Sequence, residues 1–439
     1  MWPYHPELLT RAVPRYTSYP TAAEFHDGIG ADDMLAALGG IGRDEPISLY
    51  VHIPFCRDIC SYCGCNTGRA NRTHRLAAYL DALDMEIDRV ADVLDGRGRV
   101  ERIAFGGGSP NAIEPLAFVR LVDRLTTRFA ATRPVFSVEI DPRSLDRDWI
   151  ATLGTVGVQR VSLGVQTFSP SIQTAIGRVQ PSEMIERAVN ALRGAGVSSI
   201  NFDLMYGLPG QTLADLERTI EQTVFLGADR VALFGYAHLP SMFARQRRID
   251  DSALPDAAAR FTQAAAGYEA FVAAGYDPIG FDHFGRPGDP LARAAKEGRL
   301  RRNFQGFTDD RSRQLIGLGA SAISEFPDLL AQNEKMTGHY AMLIRDGGCA
   351  VRRGVERDDE AKRRSEVIEK LLCAGTARPV PGLLQAALPS LAPFVRAGLV
   401  TVERGRITLS PDALPYARSI AACFDAYRNQ TKGQFSHAV

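Results

Sequence analysis

The chain has 439 residues, 45% of them apolar and 23% charged, and its 51 Lys and Arg balance 51 Asp and Glu. That length suits two or three units, and the balanced charge argues against nucleic acid or an anionic membrane as a partner. No run approaches about 18 apolar residues, and the start, "MWPYHPELLTRAVPRYTSYP", lacks a basic-then-apolar signal pattern, so a cytoplasmic location without membrane contact is expected.

Residues 1–45 are rich in Pro, Tyr and Gly, with one short helical pattern, "ADDMLAALGG". They are expected to form an arm. From residue 47 short β-branched runs begin: "ISLYVHI", "RVERIAF", "PVFSVEI", "VQRVSLGV", "SSINFDLM" and "DRVALFGY". Helical patterns separate them, for example "RLAAYLDALDMEIDRVADVL", with apolar residues at 3–4 spacing and charged residues on the other face. Strands alternating with helices predict βα units around a parallel sheet. Six such units end near residue 240, too few for a closed eight-fold barrel, which leaves an open partial barrel or a doubly wound sheet. A further helix is expected over 255–274. Past 285 the chain is Gly- and Arg-rich with no clear period, as for a functional segment lying against the barrel. From 358 the order is helix, helix, the hairpin "GLVTVERGRITLS" and a last helix. That order occurs in winged-helix nucleic-acid readers, but 11 Lys and Arg against 8 Asp and Glu over 358–439 form no basic stripe. A structural cap is the expectation there, with domain limits at 1–45, 46–285 and 286–439.

Four of the seven cysteines fall in one loop, "HIPFCRDICSYCGCNT". In a reducing compartment such a cluster points to a metal site rather than to disulfides. Structural zinc usually pairs two Cys knuckles a dozen or more residues apart, and ferredoxins repeat an x2 spacing with proline after the last ligand. Cys56-x3-Cys60-x2-Cys63 fits neither. It suits a loop wrapping one corner of an iron–sulfur cubane, with three thiolates on three irons and the fourth iron open. The loop follows the first strand, at the end of the sheet where α/β barrels carry chemistry. Cys349, Cys373 and Cys423 are scattered singly and are expected to pack as small hydrophobes.

This spacing, with aromatic Tyr62 before the last ligand, resembles the radical S-adenosylmethionine enzymes. The Gly triplet of "AFGGGSP" after the second strand agrees in order and place, and "GGGSPN" lacks the third glycine of a dinucleotide fingerprint. The resemblance implies a partial (βα)6 barrel, a [4Fe–4S] cluster, and S-adenosylmethionine bound through its amino and carboxylate groups to the open iron. The cofactor carries the radical chemistry, and the protein positions it and excludes water.

Finer motifs narrow the family. "RYTSYPTA", "CGCN", "NFDLMYGLPGQT", "YAHLP", "DHFGRPGDPLA", "RNFQGFT", "GASAIS" and the tail "QFSHAV" resemble oxygen-independent coproporphyrinogen III oxidases over nearly the whole chain. The resemblance implies anaerobic decarboxylation of two propionates of coproporphyrinogen III, in haem biosynthesis. It further implies a monomer served by a low-potential donor such as flavodoxin or ferredoxin. A haem chaperone and a haem-degrading methyltransferase of the same superfamily are the alternatives. Carried over by motif, Cys56, Cys60 and Cys63 hold the cluster, and Cys65 serves activity without being a ligand. Tyr50, Gly107, Glu139 and Ile323 surround one S-adenosylmethionine. Tyr62, Gly108, Ser109, Gln166, Arg178, Asp203 and Ala237 surround a second. Ser109 and Asn111 replace the family's commoner threonines, and Tyr62 stands where phenylalanine is frequent. Arg15 is expected to pair a propionate. Arg245, Arg247 and Arg248 would ordinarily form a solvated face, with any one of them a candidate substrate contact, and His52 and His238 are expected as structural residues rather than metal ligands.

Overall fold

The structure, a computed structural model, describes residues 2–71, 73–428 and 435. Of the tail "QFSHAV" only Phe435 is therefore described. Six parallel strands form its centre: β1 (Pro46–Ile53), β2 (Arg99–Gly107), β3 (Val135–Ile140), β4 (Arg160–Gln166), β5 (Ser199–Tyr206) and β6 (Arg230–Gly235). They match the six predicted runs within a residue or two at each end. Period-2 patterning decides what each face does. Leu49, Val51, Ile103, Phe105, Val138, Leu163, Phe202 and Leu204 face one way and are buried against the crossover helices. The alternate residues, among them Ser48, Glu139, Ser162 and Asp203, face the inside. The inner face is polar because it surrounds a cavity.

The helices between the strands include α1 (Thr73–Leu94), α2 (Pro115–Arg128), α3 (Arg147–Val156), α4 (Ser182–Gly194) and α5 (Leu213–Phe225). The expectation that the acids of α1 lie on its solvent face fails at Glu86, which is 6% exposed. Its carboxylate accepts from Tyr340 Oη at 2.7 Å, Gly319 N at 2.6 Å and Asn333 Nδ2 at 2.7 Å, donors that replace water.

The sheet continues beyond the six strands. At one edge stand β7 (Asp277–Ile279) and β8 (His283–Gly285), with β8 antiparallel to β6. At the other, β9 (Gln314–Leu318) runs parallel to β1, followed by antiparallel β10 (Ile323–Glu325), β11 (Leu329–Asn333) and β12 (Val351–Glu356). The described residues thus make a twelve-stranded sheet whose end strands, β12 and β7, do not pair. This corrects the expected boundary at 285 and the irregular segment after it, because four strands from 314–356 belong to the main sheet. β9, "QLIGL", is buried along its whole length, so it shows no alternation to read.

The arm is not loose. Val13, Tyr16 and Tyr19 are at most 3% exposed. Trp2 packs on Tyr268, Tyr16 Oη donates to Asp425 Oδ2 at 2.8 Å, and Tyr19 Oη accepts from Ala426 N at 2.9 Å. The carboxy-terminal part follows the expected order, with helices Asp359–Ala374 and Pro381–Arg396, the hairpin Val400–Glu403 and Arg406–Leu409, and the short helix Ala417–Ala421. Among the described residues no helix is long and apolar enough to cross a membrane.

Candidate active site

A cavity of about 570 Å³ opens at the carboxy-terminal ends of the parallel strands. Its wall brings together most of the residues singled out from the sequence: Arg15, Cys56, Cys60, Tyr62, Cys63, Cys65, Gly107, Gly108, Ser109, Glu139, Gln166, Arg178, Asp203 and Ala237. Phe435 of the tail also reaches it. Tyr50 and Ile323 are not in this wall. Tyr50 is buried one layer down on β1, its hydroxyl 3.1 Å from His52 Nδ1. Ile323 packs with Phe25, Leu330 and Val355 on β10, two strands beyond β1.

The cysteine loop distinguishes its four thiols. Cys56 Sγ accepts from Thr67 Oγ1 at 3.3 Å. Cys60 Sγ accepts from both Arg143 Nη2 and Arg178 Nη1, each at 3.3 Å. Cys63 Sγ accepts from the Cys65 amide at 3.3 Å. Cys65 is the exception, because it contributes its amide to the Cys63 sulfur and is itself exposed. Interaction with Cys65, with Arg245 and Arg178 nearby, brings the Cys63 thiol down to about 6 against the opposing effect of burial. The same interaction pushes the Cys65 thiol up. Burial raises Cys56 to about 11. Among the described residues no three His, Cys, Asp or Glu side chains converge round a single ion. Three thiols on one loop, each receiving a donor, are a donor set of the kind that ligates iron–sulfur clusters. The residues present therefore suit an iron–sulfur cluster.

Arg143 and Asp141 were not singled out from the sequence. Asp141 caps the turn after β3 by accepting from Arg143 N at 3.1 Å, and its Oδ2 binds Arg143 Nη2 at 2.6 Å and Arg178 Nη1 at 3.3 Å. One carboxylate thus aims two guanidiniums at one sulfur. The "DPR" sequence directly after a strand that ends at the site was the available signal. Gln246 was also missed. It is 2% exposed, and its Nε2 holds Tyr62 O at 2.7 Å and Ala237 O at 3.1 Å.

The carboxylates form a second group. Burial, then repulsion from Asp203, raises Glu139 to about 7, although its side chain remains open to the cavity. Asp203 is also raised by burial, while Ser162 Oγ and Asn201 Nδ2 donate to it at 2.8 Å. Gly107 N donates to Glu139 Oε2 at 3.2 Å. The glycines are required by protein contacts. A Cβ on Gly107, where φ is +112°, would meet the His52 ring at 2.6 Å, and one on Gly108 would meet Phe55 O at 2.4 Å.

Asn111 lies outside the cavity wall. It is fully buried and ties the turn after β2 to β3 through Asp141 O at 3.0 Å, so the replacement noted in the sequence is structural. Ser109 lines the cavity, but its hydroxyl bonds Asn111 and accepts from Asp141 N at 3.0 Å. Arg245 turns to the cysteine loop, with Nη2 3.4 Å from Thr67 O, while Arg247 and Arg248 are exposed. His52 is lowered to about 4 by burial, as befits a neutral structural imidazole. His238 Nδ1 lies 3.1 Å from Tyr236 Oη.

A model of the radical SAM superfamily matches residues 50–223. Fold and site together define a radical SAM enzyme, a class that works with a [4Fe–4S] cluster and S-adenosylmethionine. The narrower relationship is equally direct. The chain is 41% identical to the oxygen-independent coproporphyrinogen III oxidase of Bradyrhizobium diazoefficiens, covering 97% of each. It is 38% identical to that of Escherichia coli, over 97% of this chain and 96% of the relative. The solved structure of coproporphyrinogen III oxidase from Escherichia coli, a radical SAM enzyme, superposes with a TM-score of 0.90 at 36% identity, covering 97% of this chain and 99% of the other. The chain belongs to the oxygen-independent coproporphyrinogen III oxidase family.

Proposed function

We propose that the protein converts two propionates of coproporphyrinogen III to vinyl groups, yielding protoporphyrinogen IX without oxygen. Each conversion releases CO2, passes one hydrogen atom to a cofactor radical and gives one electron to an acceptor. When bound, the reduced cluster and S-adenosylmethionine supply that radical as 5′-deoxyadenosyl. Cys56, Cys60 and Cys63 hold the cluster, and Thr67, Arg143, Arg178 and the Cys65 amide stabilise negative charge on their sulfurs. Glu139 and Asp203 supply counter-charge for cationic S-adenosylmethionine. Arg178, Gln166 and Ala237, with Tyr62 held by Gln246, form the shell of a second molecule. Val13, Pro14 and Arg15 of the arm border the cavity. There they narrow water access, and Arg15 pairs a substrate carboxylate.

The observation that carries this reading is three thiols of one loop that each accept a hydrogen bond, the third from the amide of Cys65, beside Glu139 and Asp203 in the same cavity wall. A low-potential flavodoxin or ferredoxin as donor, a cytoplasmic location and a monomer complete the proposal. Anaerobic turnover of the reconstituted, reduced protein tests it. Product mass should show coproporphyrinogen III losing two CO2, each with two hydrogens. Haem bound without S-adenosylmethionine cleavage would point to a chaperone instead, and methyl transfer to haem would point to a degrading enzyme.

A further inference from the structure

Two motifs of the sequence, 286 residues apart, meet at one side chain. "RYTSYPTA" opens with Arg15 and Tyr16, and "RNFQGFT" opens with Arg302. Arg302 stands in a hairpin of the strands Arg301–Asn303 and Gly306–Thr308, opposite Phe307. Its Nε donates to Tyr16 O and its Nη2 to Arg15 O, at 3.0 Å each. Nη1 has no hydrogen-bond partner among the described residues, so the hydrogen bonding of this side chain goes to the arm. A planar guanidinium presents its donors in a fixed fork, which here spans two successive carbonyls.

The fork is itself held in place. Arg302 is 8% exposed, with its guanidinium carbon 4.4 Å from the Phe307 ring centroid and 5.2 Å from that of Phe281. Phe307 packs edge-on against Phe281 and His283, and Gly280 leaves it room, since a Cβ there would meet the ring at 2.0 Å. The Arg302 amide donates to Glu369 Oε1 at 2.9 Å, which ties the hairpin to the helix Asp359–Ala374.

At the arm, the two pinned residues send their side chains to different places. Tyr16 is buried and gives its hydroxyl to Asp425. Arg15 reaches Gly235 O and lies 5.2 Å from the Phe234 ring centroid, in the wall of the larger cavity. Between them the backbone takes a φ of +47° at Tyr16, a left-handed conformation that a bulky residue adopts only where its surroundings impose it. The carbonyls of Arg15 and Tyr16 flank the Tyr16 Cα, so a group that holds both fixes the two dihedrals between them. Arg15 is exposed and its own hydrogen bond is long at 3.3 Å, so its aim comes from the backbone.

We propose that Arg302 is a positioning residue, whose fork on the Arg15 and Tyr16 carbonyls sets the turn that directs the Arg15 guanidinium to the substrate. The inference rests on the reading of Arg15 as the partner of a substrate carboxylate. Arg302 is not part of the larger cavity's wall, and it acts through Arg15.

The test uses the full-length holoenzyme and coproporphyrin III, the oxidised porphyrin with the same four carboxylates. Fluorescence titration should show Arg302→Gln and Arg15→Gln each weakening binding about tenfold. The double variant should bind no more weakly than Arg15→Gln alone, because the two losses are one. Arg302→Lys keeps the charge over Phe307 but not the fork, and should fall between wild type and Arg302→Gln. A further measurement needs no substrate: trypsin should cut the Arg15–Tyr16 bond faster in Arg302→Gln than in wild type, read by peptide mass. If Arg302→Gln fails to fold, Arg302→Lys is read in the same way. Wild-type affinity in the variant that folds, or losses that add in the double variant, would overturn the proposal. A wild-type enzyme that neither binds coproporphyrin nor changes coproporphyrinogen would overturn the substrate reading instead, and the trypsin comparison would then decide the clamp.

Discussion

Cys65 gives its amide to the Cys63 sulfur and is itself exposed, and this separates it from its three neighbours more sharply than spacing does. Alanine at Cys56, Cys60 or Cys63 is expected to abolish bound iron and the cluster's absorption, whereas Cys65→Ala keeps iron and loses activity. In the iron-free protein Cys63 should be largely thiolate at pH 7, since its thiol is lowered to about 6. Removing the Cys65 side chain should slow alkylation of Cys63 at pH 7 about tenfold, read by peptide mass mapping. An unchanged alkylation rate would show that the Cys65 thiol is immaterial to Cys63. Glu139 gives a second test. Its carboxyl is raised to about 7 by burial and Asp203, so it becomes anionic only as pH rises through that value. Cofactor affinity should therefore strengthen from pH 6 to 8. Glu139→Gln should weaken binding about ten- to hundred-fold at pH 8 and flatten the profile in calorimetric titration. The same shift has the opposite effect on the free fold. Its contribution is full below the ordinary carboxylate value and is lost as pH rises through about 7.

The arm illustrates how an element can be recognised without its packing being known. Deleting residues 1–20 is the simplest way to ask what the arm does. The packing makes that deletion unsuitable. Val13, Tyr16 and Tyr19 belong to the main core, and Tyr416 Oη donates to Pro3 O at 2.7 Å. Losing three buried side chains of that size costs several kcal/mol by about 2–5 kcal/mol each, so the truncated chain should melt earlier and aggregate. Arg15→Gln is the cleaner variant, because the side chain is exposed and its hydrogen bond, to Gly235 O, is long at 3.3 Å. It is expected to keep its melting temperature, its iron and substrate-free S-adenosylmethionine cleavage while losing most decarboxylation. Full protoporphyrinogen output from Arg15→Gln would remove the arm from the reaction.

At the scale of the molecule, the polar interior of the sheet is closed at the end away from the cavity by residues 309 and 310. Asp309 binds Arg102 Nη1 at 2.8 Å and Arg160 Nη1 at 2.9 Å, and Ser48 Oγ donates to Asp310 Oδ2 at 2.5 Å. Strands β1, β2 and β4 are thus tied through one loop. Despite burial, the two guanidiniums hold the Asp309 carboxyl far below its usual range. A depressed carboxyl contributes stability that is complete above its unfolded value, about 3.8, and is lost as pH falls below it. Asp309→Asn leaves Arg160 without its counter-charge and Arg102 with Asp310 alone, and should cost about 3 kcal/mol. The gap in melting temperature between wild type and variant should stay constant from pH 7 to about 4 and shrink below that. A gap that closes already at pH 6 would assign the stabilisation elsewhere.

The sequence by itself determined the six βα units, the loop that carries the thiols and the family, because these rest on local order: period-2 and period-3.6 patterning, and ligands ten residues apart at most. The same locality made Gly107, Glu139 and Asp203 legible, each on a recognisable strand, whereas Arg178, beyond the helix Pro170–Ala175, came only from the family resemblance. Tertiary structure alone decided which residues share a wall. It withdrew Tyr50 and Ile323 from the cavity, since a residue near a motif in sequence can sit one layer or two strands away. It placed β9 beside β1 across more than 260 residues, where full burial erases the alternation that would mark a strand. It also brought Asp141, Arg143 and Arg178 to the cysteine loop, where one carboxylate aims two guanidiniums at the Cys60 sulfur. No window of sequence holds Cys60, Asp141 and Arg178 together, because what they share is distance in the folded chain.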